Sequence, residues 1–591
     1  MAAGLTRRRA VRPLRTDQKE RHDLIGLETG SLRKKWAGKL PVALVFPNTY
    51  HLGMSNLGFQ LIYDLLNSNP DIVCERVFLP EAGSLPLSVE SGRLLRDFPI
   101  VLFSVSFEHD FLSIIQIMRL SGIAPATSAR RLEGRPGPGT PLVVGGGVAT
   151  FINPEPLAPY MDFFLLGEAE PVMAHFQEYL FKFIGGNYEV LLREAAARLP
   201  GCYVPALYAP VYREDGTLEA MPPLIGGIPA RIKKNITTSM PVAGHSRILS
   251  PETEFANIYL TELGRGCTRG CRFCAAGYVY RPPRQWTPEA IIAAVREKPE
   301  VSPKVGLLGM EMTRPENLRR VAAFLLQQDC SLSFSSLRAD ALSDTLLELL
   351  AASKLKSAAI APDGGSERLR RVINKGISAE DCLTAAEALV KADVHNLKLY
   401  FMIGLPTETS DDLLELVELV RRIQERIMGI GRARGRLSQL TLSVNCFVPK
   451  AWTPFQFHGA FPLAALKNKV KFLRRQFVPF NNLKLVFDQP RHAFFQAMLA
   501  RGDRRLGEAL FSIVENGGNW QQTMKRLGIE ADFYATRQRG EDEVFPWEIV
   551  DHGLDRKFLW REYQHALNSR PSRGCEIADS SINCRRCGVC R

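Results

Sequence analysis

The stretch Gly264-Arg265-Gly266-Cys267-Thr268-Arg269-Gly270-Cys271-Arg272-Phe273-Cys274 places three cysteines at C-x-x-x-C-x-x-C spacing in a loop with three glycines. This spacing lets three thiolates converge on one inorganic cluster, and three ligands leave one iron of a 4Fe–4S cube open to a small molecule. We expect Arg265, Arg269 and Arg272 to favour the thiolate form of the cysteines, which is the form that binds metal. Core cysteines follow an apolar pattern instead, and this loop is rich in glycine and arginine.

A structural zinc site is the main alternative for this loop. A tetrahedral zinc needs a fourth ligand nearby, and none follows in Ala275–Trp286. The stretch resembles the signature of the radical S-adenosylmethionine (SAM) superfamily, in which an aromatic residue, here Phe273, precedes the last cysteine. The resemblance implies a 4Fe–4S cluster on Cys267, Cys271 and Cys274 with SAM at its open iron and Phe273 beside the cofactor. It also implies a one-electron reductant of the flavodoxin or ferredoxin type.

Short apolar runs alternate with helical segments in the first third of the chain. The runs are Pro41–Phe46, Ile72–Phe78, Ile100–Val105, Leu142–Val144 and Phe163–Leu166. Such alternation predicts an α/β domain with a parallel, doubly wound sheet. Gly145-Gly146-Gly147 follows one strand directly, and glycines at the carboxyl end of a strand let a ligand approach the backbone.

This region resembles the cobalamin-binding domain that precedes many radical SAM barrels, which implies a ligand at Gly145, Gly146 and Gly147. The D-x-H-x-x-G motif whose histidine ligates cobalt in that family is absent. Tyr50-His51-Leu52-Gly53 lacks the aspartate, and Glu108-His109-Asp110 has the wrong order. Two outcomes stay open: cobalamin binds without a protein histidine, or the fold is kept and the cofactor site is lost.

Six further strand–helix units follow a proline-containing connecting segment. The predicted strands are Ile258–Leu263, Val305–Leu308, Leu332–Ser335, Ser357–Ile360, Leu397–Ile403 and Leu440–Phe447. Six units match the partial (β/α)6 barrel of the radical SAM superfamily. We therefore expect functional residues at the carboxyl ends of these strands.

The resemblance implies that residues at those strand ends contact SAM. They are Gly309 and Glu311 after the second strand, Ser335 and Arg338 after the third, Asp363 after the fourth, and Gly404 and Pro406 after the fifth. An arginine such as Arg338 holds a carboxylate through two parallel hydrogen bonds. Asp363 stands where related enzymes usually have a glutamate, and we expect it to bind the ribose hydroxyls.

Four cysteines close the chain, and three of them have C-x-x-C-x-x-C spacing. They are Cys575, Cys584, Cys587 and Cys590. These residues make a complete four-thiolate ligand set, which fits a structural zinc or an auxiliary iron–sulfur cluster. The two metals stay open, because four-thiolate sites serve both.

Composition indicates a soluble, multidomain protein. The chain has 591 residues, of which 46% are hydrophobic and 23% are charged, and this leaves ample material for more than one core. No apolar run reaches the roughly 18 residues of a membrane span, so we expect no membrane partner. Seven of the twelve cysteines fall in two tight groups, which indicates metal binding in a reducing compartment, the cytoplasm.

The net charge of +13 is concentrated in the N-terminal tail and in one later stretch, which holds Lys467, Lys469, Lys471, Arg474 and Arg475. Basic surfaces of this kind suit an RNA or ribosomal partner through phosphate contacts. A solvated helix face and an unstructured tail explain the same charges.

These patterns predict five segments: a basic tail (1–38), a cobalamin-binding-like α/β domain (39–184), a connecting segment (185–250), the partial barrel (251–468), and a small α-rich C-terminal domain with the second cysteine group (469–591). The predicted function is reductive cleavage of SAM to activate an unreactive C–H bond. Cobalamin-assisted methyl transfer, methylthio transfer, and modification of an RNA or ribosomal substrate are the finer hypotheses. The competing class is a non-catalytic nucleic-acid-binding or assembly protein with structural metal sites.

Overall fold

A computed structural model of the protein describes residues 23–132, 136–302, 304–309, 315–328, 330–334, 337–575 and 584–590. The N-terminal sheet consists of β1 (Leu40–Phe46), β2 (Ile72–Phe78), β3 (Ile100–Ser104), β4 (Leu142–Gly146), β5 (Phe163–Leu165) and β6 (Cys202–Tyr203). Its strand order is β2-β1-β3-β4-β5-β6, with β1 to β5 parallel and β6 antiparallel to β5. The order reverses between β1 and β3, so the predicted doubly wound sheet is confirmed, and ligands of such sheets bind at this reversal.

Helices cover both faces of this sheet, which explains the near-continuous burial of its central strands. The helices are Leu57–Asn67, Asp110–Leu120, Thr127–Leu132, Val148–Ile152, Met173–Gly185 and Tyr188–Arg198, with a single turn at Tyr50–Gly53. The first long helix begins after Asn56, whose side chain accepts a hydrogen bond from the Phe59 amide at 3.0 Å.

The second half of the chain forms an open, parallel, barrel-like sheet in two parts. One part is β7 (Tyr259–Glu262), β8 (Lys304–Leu308) and β9 (Ser331–Phe334), and the other is β10 (Ser357–Asp363), β11 (Asn396–Ile403), β12 (Gln439–Cys446) and β13 (Leu483–Phe487). A parallel bridge between Leu337 and Ile360 connects the two parts. The six predicted strands are present, and β13 is a seventh, which lies beyond the predicted barrel end at residue 468.

The barrel helices lie outside the strands. They are Pro288–Arg296, Pro315–Gln327, Asp344–Ala352, Glu367–Val372, Ala379–Lys391, Ser410–Ala433 and Leu463–Gln476. Residues within one turn set the start of the first helix: Thr287 caps it by accepting a hydrogen bond from the Ala290 amide at 3.2 Å, and Pro288 occupies the first turn. These helices and strands share their own apolar core.

The C-terminal region is helical, as predicted. Its helices are Pro490–Ala500, Arg504–Glu515, Trp520–Leu527, Ala531–Ala535 and Arg556–Leu567. They do not build a core of their own, because their apolar side chains join the core of the N-terminal sheet. Tyr160 Oη donates to the Gly507 carbonyl at 2.7 Å, and Arg504 pairs with Glu155 at 3.1 Å.

The connecting segment forms one short hairpin of its own and pairs with the C-terminal region. Val211–Tyr212 pairs antiparallel with Leu218–Ala220, and Ile232–Lys233 pairs parallel with Val550–Asp551. Among the described residues, no helix combines the length and the apolar character needed to span a bilayer.

Candidate functional site

The cysteine loop leaves the end of β7 and is closed by a short antiparallel pairing of Gly264–Arg265 with Arg284–Gln285. Two of its glycines have left-handed backbone, with φ of +85° at Gly266 and +77° at Gly270. A Cβ at Gly266 would also lie 2.8 Å from the Tyr280 carbonyl oxygen. The glycines are therefore required by the tight path of the loop.

The three thiols of the loop are half-buried and share one electrostatic environment. Burial raises the pKa of Cys271, while Lys375 and Arg338 oppose this shift. Burial also raises the pKa of Cys274 to about 11, and the neighbouring Cys271 adds to it. Arg338 interacts with Cys267 as well as with Cys271. The chemistry of this donor set, three thiols beside two cations, suits an anionic iron–sulfur cluster.

Two arginines of the loop are paired with carboxylates of other segments. Arg265 pairs with Glu168 and Glu170 of the N-terminal domain at 3.0 and 2.7 Å. Arg272 is fully buried and contacts Glu562 at 3.3 Å. The cations that face Cys271 are Lys375 and Arg338, which come from elsewhere in the barrel.

Asp363 and Arg338 lie at the cysteine loop, as their strand-end positions predict. Asp363 accepts a hydrogen bond from Lys375 Nζ at 2.5 Å, and its charge reaches Cys271. The Arg338 guanidinium donates to both carboxylate oxygens of Asp340, at 2.8 and 2.9 Å. The two parallel N–H donors that could bind a carboxylate of SAM are therefore occupied by Asp340 in this structure.

The remaining predicted SAM contacts are distributed along the strand ends. The Gly404 amide donates to both carboxylate oxygens of Glu408 at 3.0 Å, so this turn, with Pro406 buried inside it, is stabilised by its own glutamate. Phe273 packs against the apolar core, and Gly309 follows β8. Glu311 and Ser335 lie outside the described residues.

A cavity of about 490 Å³ separates the carboxyl edge of the N-terminal sheet from the cysteine loop. Its walls are mainly apolar and come from both halves of the chain. Lining residues include Leu61, Leu102, Gly145, Gly146, Gly147, Phe151, Glu168, Arg265, Tyr280 and Gly309. The size and the apolar walls are those of a small-molecule site.

The triple glycine lines this cavity, but packing explains two of its members. A Cβ at Gly145 would lie 2.6 Å from the Phe164 ring, and one at Gly147, where φ is +98°, would lie 2.5 Å from the Val105 carbonyl oxygen. Only Gly146 has ordinary space, with its nearest neighbour at 3.8 Å. Gly146 is therefore the glycine that a cavity ligand is free to use.

Histidine is absent from the described residues that line the cavity. His51, from the incomplete D-x-H-x-x-G motif, is exposed. A corrinoid held here would therefore have no imidazole ligand from the described cavity wall.

Glu168 is a functional candidate that the sequence reasoning did not single out. It accepts hydrogen bonds from Arg265 at 3.0 Å, from Arg284 at 2.7 Å and from the Thr237 amide at 2.9 Å. Burial would raise the pKa of Glu168, but Arg284 and Arg265 hold it below its ordinary value. The signal was its position directly after β5, at the edge where ligands of such sheets bind.

The C-terminal cysteines form a second group. Burial raises the pKa of Cys575 to about 11, Arg281 opposes this shift, and Cys587, Cys590 and Cys584 add to it. The four thiols therefore lie within electrostatic reach of one another. Among the described residues, no three His, Cys, Asp or Glu side chains are already gathered closely enough to hold a metal ion.

Two family models match the chain. One, described as the radical SAM superfamily, matches residues 261–420, and the other, described as the N-terminal part of radical SAM proteins, matches residues 58–205. The chain belongs to the radical SAM superfamily. This radical SAM enzyme therefore has a 4Fe–4S cluster and SAM as its expected cofactors, with the cysteine triplet inside the matched region.

Curated relatives extend the likeness. The radical SAM chain is 27% identical to an uncharacterized protein of Methanocaldococcus jannaschii over 471 residues, which cover 79% of this chain and 90% of that protein. It is 26% identical to a tRNA-2-methylthio-N(6)-dimethylallyladenosine synthase of Desulforamulus reducens over 206 residues, which cover 32% of this chain and 43% of the synthase.

Solved structures give a more distant likeness. The radical SAM methyltransferase TsrM from Kitasatospora setae, solved with tryptophan substrate and a SAM analog, has a TM-score of 0.46 and 13% identity, covering 90% of this chain and 98% of TsrM. The cobalamin-dependent enzyme OxsB, solved with aqua-cobalamin and SAM, has a TM-score of 0.45 and 12% identity, covering 90% of this chain and 80% of OxsB.

Proposed function

We propose that this radical SAM enzyme transfers a methyl group to a carbon of its substrate, with a corrinoid held in the cavity between the N-terminal sheet and the cysteine loop. The observation that carries the proposal is this cavity, because one wall is the ligand-binding edge of a doubly wound sheet and the opposite wall begins the cysteine loop. A group held there lies between the two halves of the catalytic machinery.

Cys267, Cys271 and Cys274 would hold the 4Fe–4S cluster and leave one iron for the amino and carboxylate groups of SAM. When bound, the cluster supplies the single electron that cleaves the sulfonium. Lys375 and Arg338 offset the negative charge that three thiolates bring to this half-buried site. Asp363 fixes Lys375 through its hydrogen bond and remains the candidate for the ribose hydroxyls.

The apolar walls of the cavity would exclude water from the transfer step. Glu168 and Glu170 hold Arg265, which stands two residues before Cys267, so the sheet edge fixes the start of the cluster loop. We propose that this connection fixes the position of the cluster relative to the corrinoid in the cavity.

RNA is the substrate class that we propose, and two observations favour it. The relative from Desulforamulus reducens is named as a tRNA-modifying synthase. Lys467, Lys471, Arg474 and Arg475 are exposed on helix Leu463–Gln476 and line a shallow groove of about 380 Å³. Lys469 does not belong to this surface, because it pairs with Glu408 at 2.7 Å.

The decisive experiment is SAM cleavage by the anaerobically reconstituted protein under reduction, in the presence and absence of added cobalamin. We expect deoxyadenosine or a methylated product to form from wild type. Cys271→Ser should abolish turnover, whereas Cys330→Ser, which alters a buried cysteine of the barrel core, should retain it.

Addition of SAM should also change the electron-spin signal of the reduced cluster. An unchanged signal together with no SAM turnover would instead identify a non-catalytic binding protein. Metal analysis for iron, sulfide, cobalt and zinc separates cobalamin-dependent from cobalamin-independent chemistry. We expect the enzyme to work in a reducing compartment, the cytoplasm, because its cluster thiols are unprotected from oxidation before they bind iron.

A further inference from the structure

The C-terminal cysteine segment lies directly on the loop that carries the first cysteine group. The backbone amide of Cys575 donates to the carbonyl of Thr268, the residue after Cys267. Gly574 packs so closely that a Cβ on it would lie 2.5 Å from the same carbonyl oxygen. The backbone of Cys575 is therefore bonded to the residue that directly follows Cys267.

Two arginines of the first segment fasten the second one. Arg272 donates to the Arg570 carbonyl at 2.7 Å and to Ser572 Oγ at 2.8 Å. Arg281 forms a side-chain hydrogen bond with the Cys587 thiol, and its charge also acts on Cys575. The positive charge of Arg281 therefore lies at the second thiol group.

A third connection comes from the barrel. Asn374 donates to the Gly270 carbonyl at 3.2 Å and accepts from the Ser572 amide at 2.9 Å. One side chain thus holds the first cysteine loop and the chain that leads to Cys575. These contacts fix the position of the segment that leads to Cys575 relative to the first cysteine loop. A fixed separation is what electron transfer between two sites requires.

The second group faces outward. Cys587 is buried, whereas Cys584 and Cys590 are partly exposed. Exposed arginines surround them: Arg570, Arg573, Arg585 and Arg586. This positive surface suits an acidic partner. A structural zinc has no redox chemistry and gains nothing from such a surface or from contact with the first loop.

We propose that Cys575, Cys584, Cys587 and Cys590 hold a second 4Fe–4S cluster, which passes single electrons from an acidic carrier protein to the cluster at the first cysteine loop. A cluster held by these four thiols would supply a one-electron relay, which would take one electron from the carrier and hand one electron to the inner cluster with no bond formed or broken. The C-x-x-C-x-x-C run is the ligand spacing of 4Fe–4S proteins. The inference rests on the proposed function, because only a turning-over enzyme needs this supply.

The test compares the reconstituted full chain with the double variant Cys584→Ala/Cys590→Ala and with the control Cys330→Ala. We expect the double variant to lose about half of its iron and sulfide and one of two cluster signals in the electron-spin spectrum. Reduction of its remaining cluster by a reduced ferredoxin should slow by about tenfold or more, while reduction by titanium(III) citrate stays at the wild-type rate. The control should match wild type in every measurement.

The inference would be overturned if the wild-type chain held one zinc and the double variant kept the wild-type iron content. An unchanged rate of reduction of the double variant by ferredoxin would also overturn it. Far-UV circular dichroism checks folding, and Arg585→Glu provides a variant that keeps all four thiols. It should slow the reduction by ferredoxin in a salt-dependent way, and an unchanged rate would contradict docking at this surface.

The two proposals fail separately. SAM turnover by wild type with titanium(III) citrate tests the proposed function alone, because this reductant reaches the inner cluster without a carrier. If that turnover is absent, the proposed function fails. If it is present and the double variant keeps the wild-type rate with ferredoxin, only the electron path fails.

Discussion

Glu168 accepts a hydrogen bond from Arg265 at 3.0 Å, and this pair joins the carboxyl edge of the N-terminal sheet to the first residues of the cysteine loop. Both side chains are at least 90% buried. Arg284, at the other end of the loop, pairs with the same carboxylate. One carboxylate thus holds both ends of the segment that carries the cluster ligands.

Replacing this carboxylate tests the connection. Glu168→Gln leaves the buried Arg284 guanidinium without its counter-charge and removes one of the carboxylates that pair with Arg265, so we expect the free energy of unfolding to fall by about 3 kcal/mol and the reconstituted iron content to drop. Chemical denaturation and iron analysis measure these effects. The control is Glu297→Gln, which breaks a half-exposed contact with Arg247 and should cost less than about 1 kcal/mol. Equal losses in the two variants would contradict the role of Glu168.

The same carboxylate predicts a pH dependence. Because the pKa of Glu168 is lowered on folding, its contribution to stability is fully present above its ordinary pKa of 4.5 and is lost as the pH falls through the folded value. The stability difference between wild type and Glu168→Gln should therefore shrink as the pH falls below about 4.5. Denaturation curves over this acid range measure it, and a constant difference would contradict the ion pair.

Lys375 should raise the midpoint potential of the cluster. Lys375→Met removes one of the two cations that face Cys271, so the reduced cluster is less stabilised and its midpoint potential should become more negative by tens of millivolts, on the order expected for one nearby charge. Redox titration followed by electron-spin resonance measures the shift. Lys356→Met is the matched control, because Lys356 makes only an exposed pair with Asp393. A potential unchanged by Lys375→Met would place the cluster away from this lysine.

Substitutions at two adjacent glycines distinguish an effect on folding from an effect on ligand binding. Gly147→Ala forces a side chain into left-handed backbone and against the Val105 carbonyl, so we expect a loss of about 1–3 kcal/mol in unfolding free energy. Gly146→Ala meets no such contact and should fold normally while weakening binding of cobalamin in the cavity. Thermal unfolding and equilibrium dialysis with cobalamin measure the two effects. Normal cobalamin binding by a folded Gly146→Ala protein would contradict ligand approach at this edge.

The exposed basic helix predicts salt-dependent RNA binding. Lys471→Glu/Arg474→Glu should weaken tRNA binding and reduce the slope of log affinity against log salt by about two phosphate contacts. Filter binding at several salt concentrations measures it, with Lys356→Glu as a single charge-reversal control on another surface. A wild-type affinity for tRNA that does not change with salt concentration would contradict the proposal of an RNA substrate.

Local patterns predicted most of the fold. β1 to β5 and six barrel strands follow from short apolar runs, and the Thr287 cap follows from residues within one turn. β13 escaped prediction because its residues alternate between partly buried and exposed, with Lys484 and Val486 on the open side. The shared core of the two chain ends escaped for a different reason: periodicity shows which face of a helix is buried, but not against which part of the chain.

The site was predictable where its residues adjoin in sequence. The cysteine triplet and the four C-terminal cysteines are such cases. Lys375 and Glu168 were missed because the folded chain brings them to the loop from other strands. Lys375 does carry a signal: it stands between Asn374 and Gly376, both with positive φ, in a turn that aims its side chain inward at Asp363.

The apolar core shared by the first and last parts of the chain has a consequence for biosynthesis. The barrel is in effect an insertion inside one discontinuous domain, so the N-terminal sheet leaves the ribosome long before helices Pro490–Ala500 and Arg504–Glu515 can cover it. A nascent chain halted before residue 490 should therefore bind chaperones and resist maturation. Cluster assembly then becomes a late event, available only to chains that have been synthesised to the end.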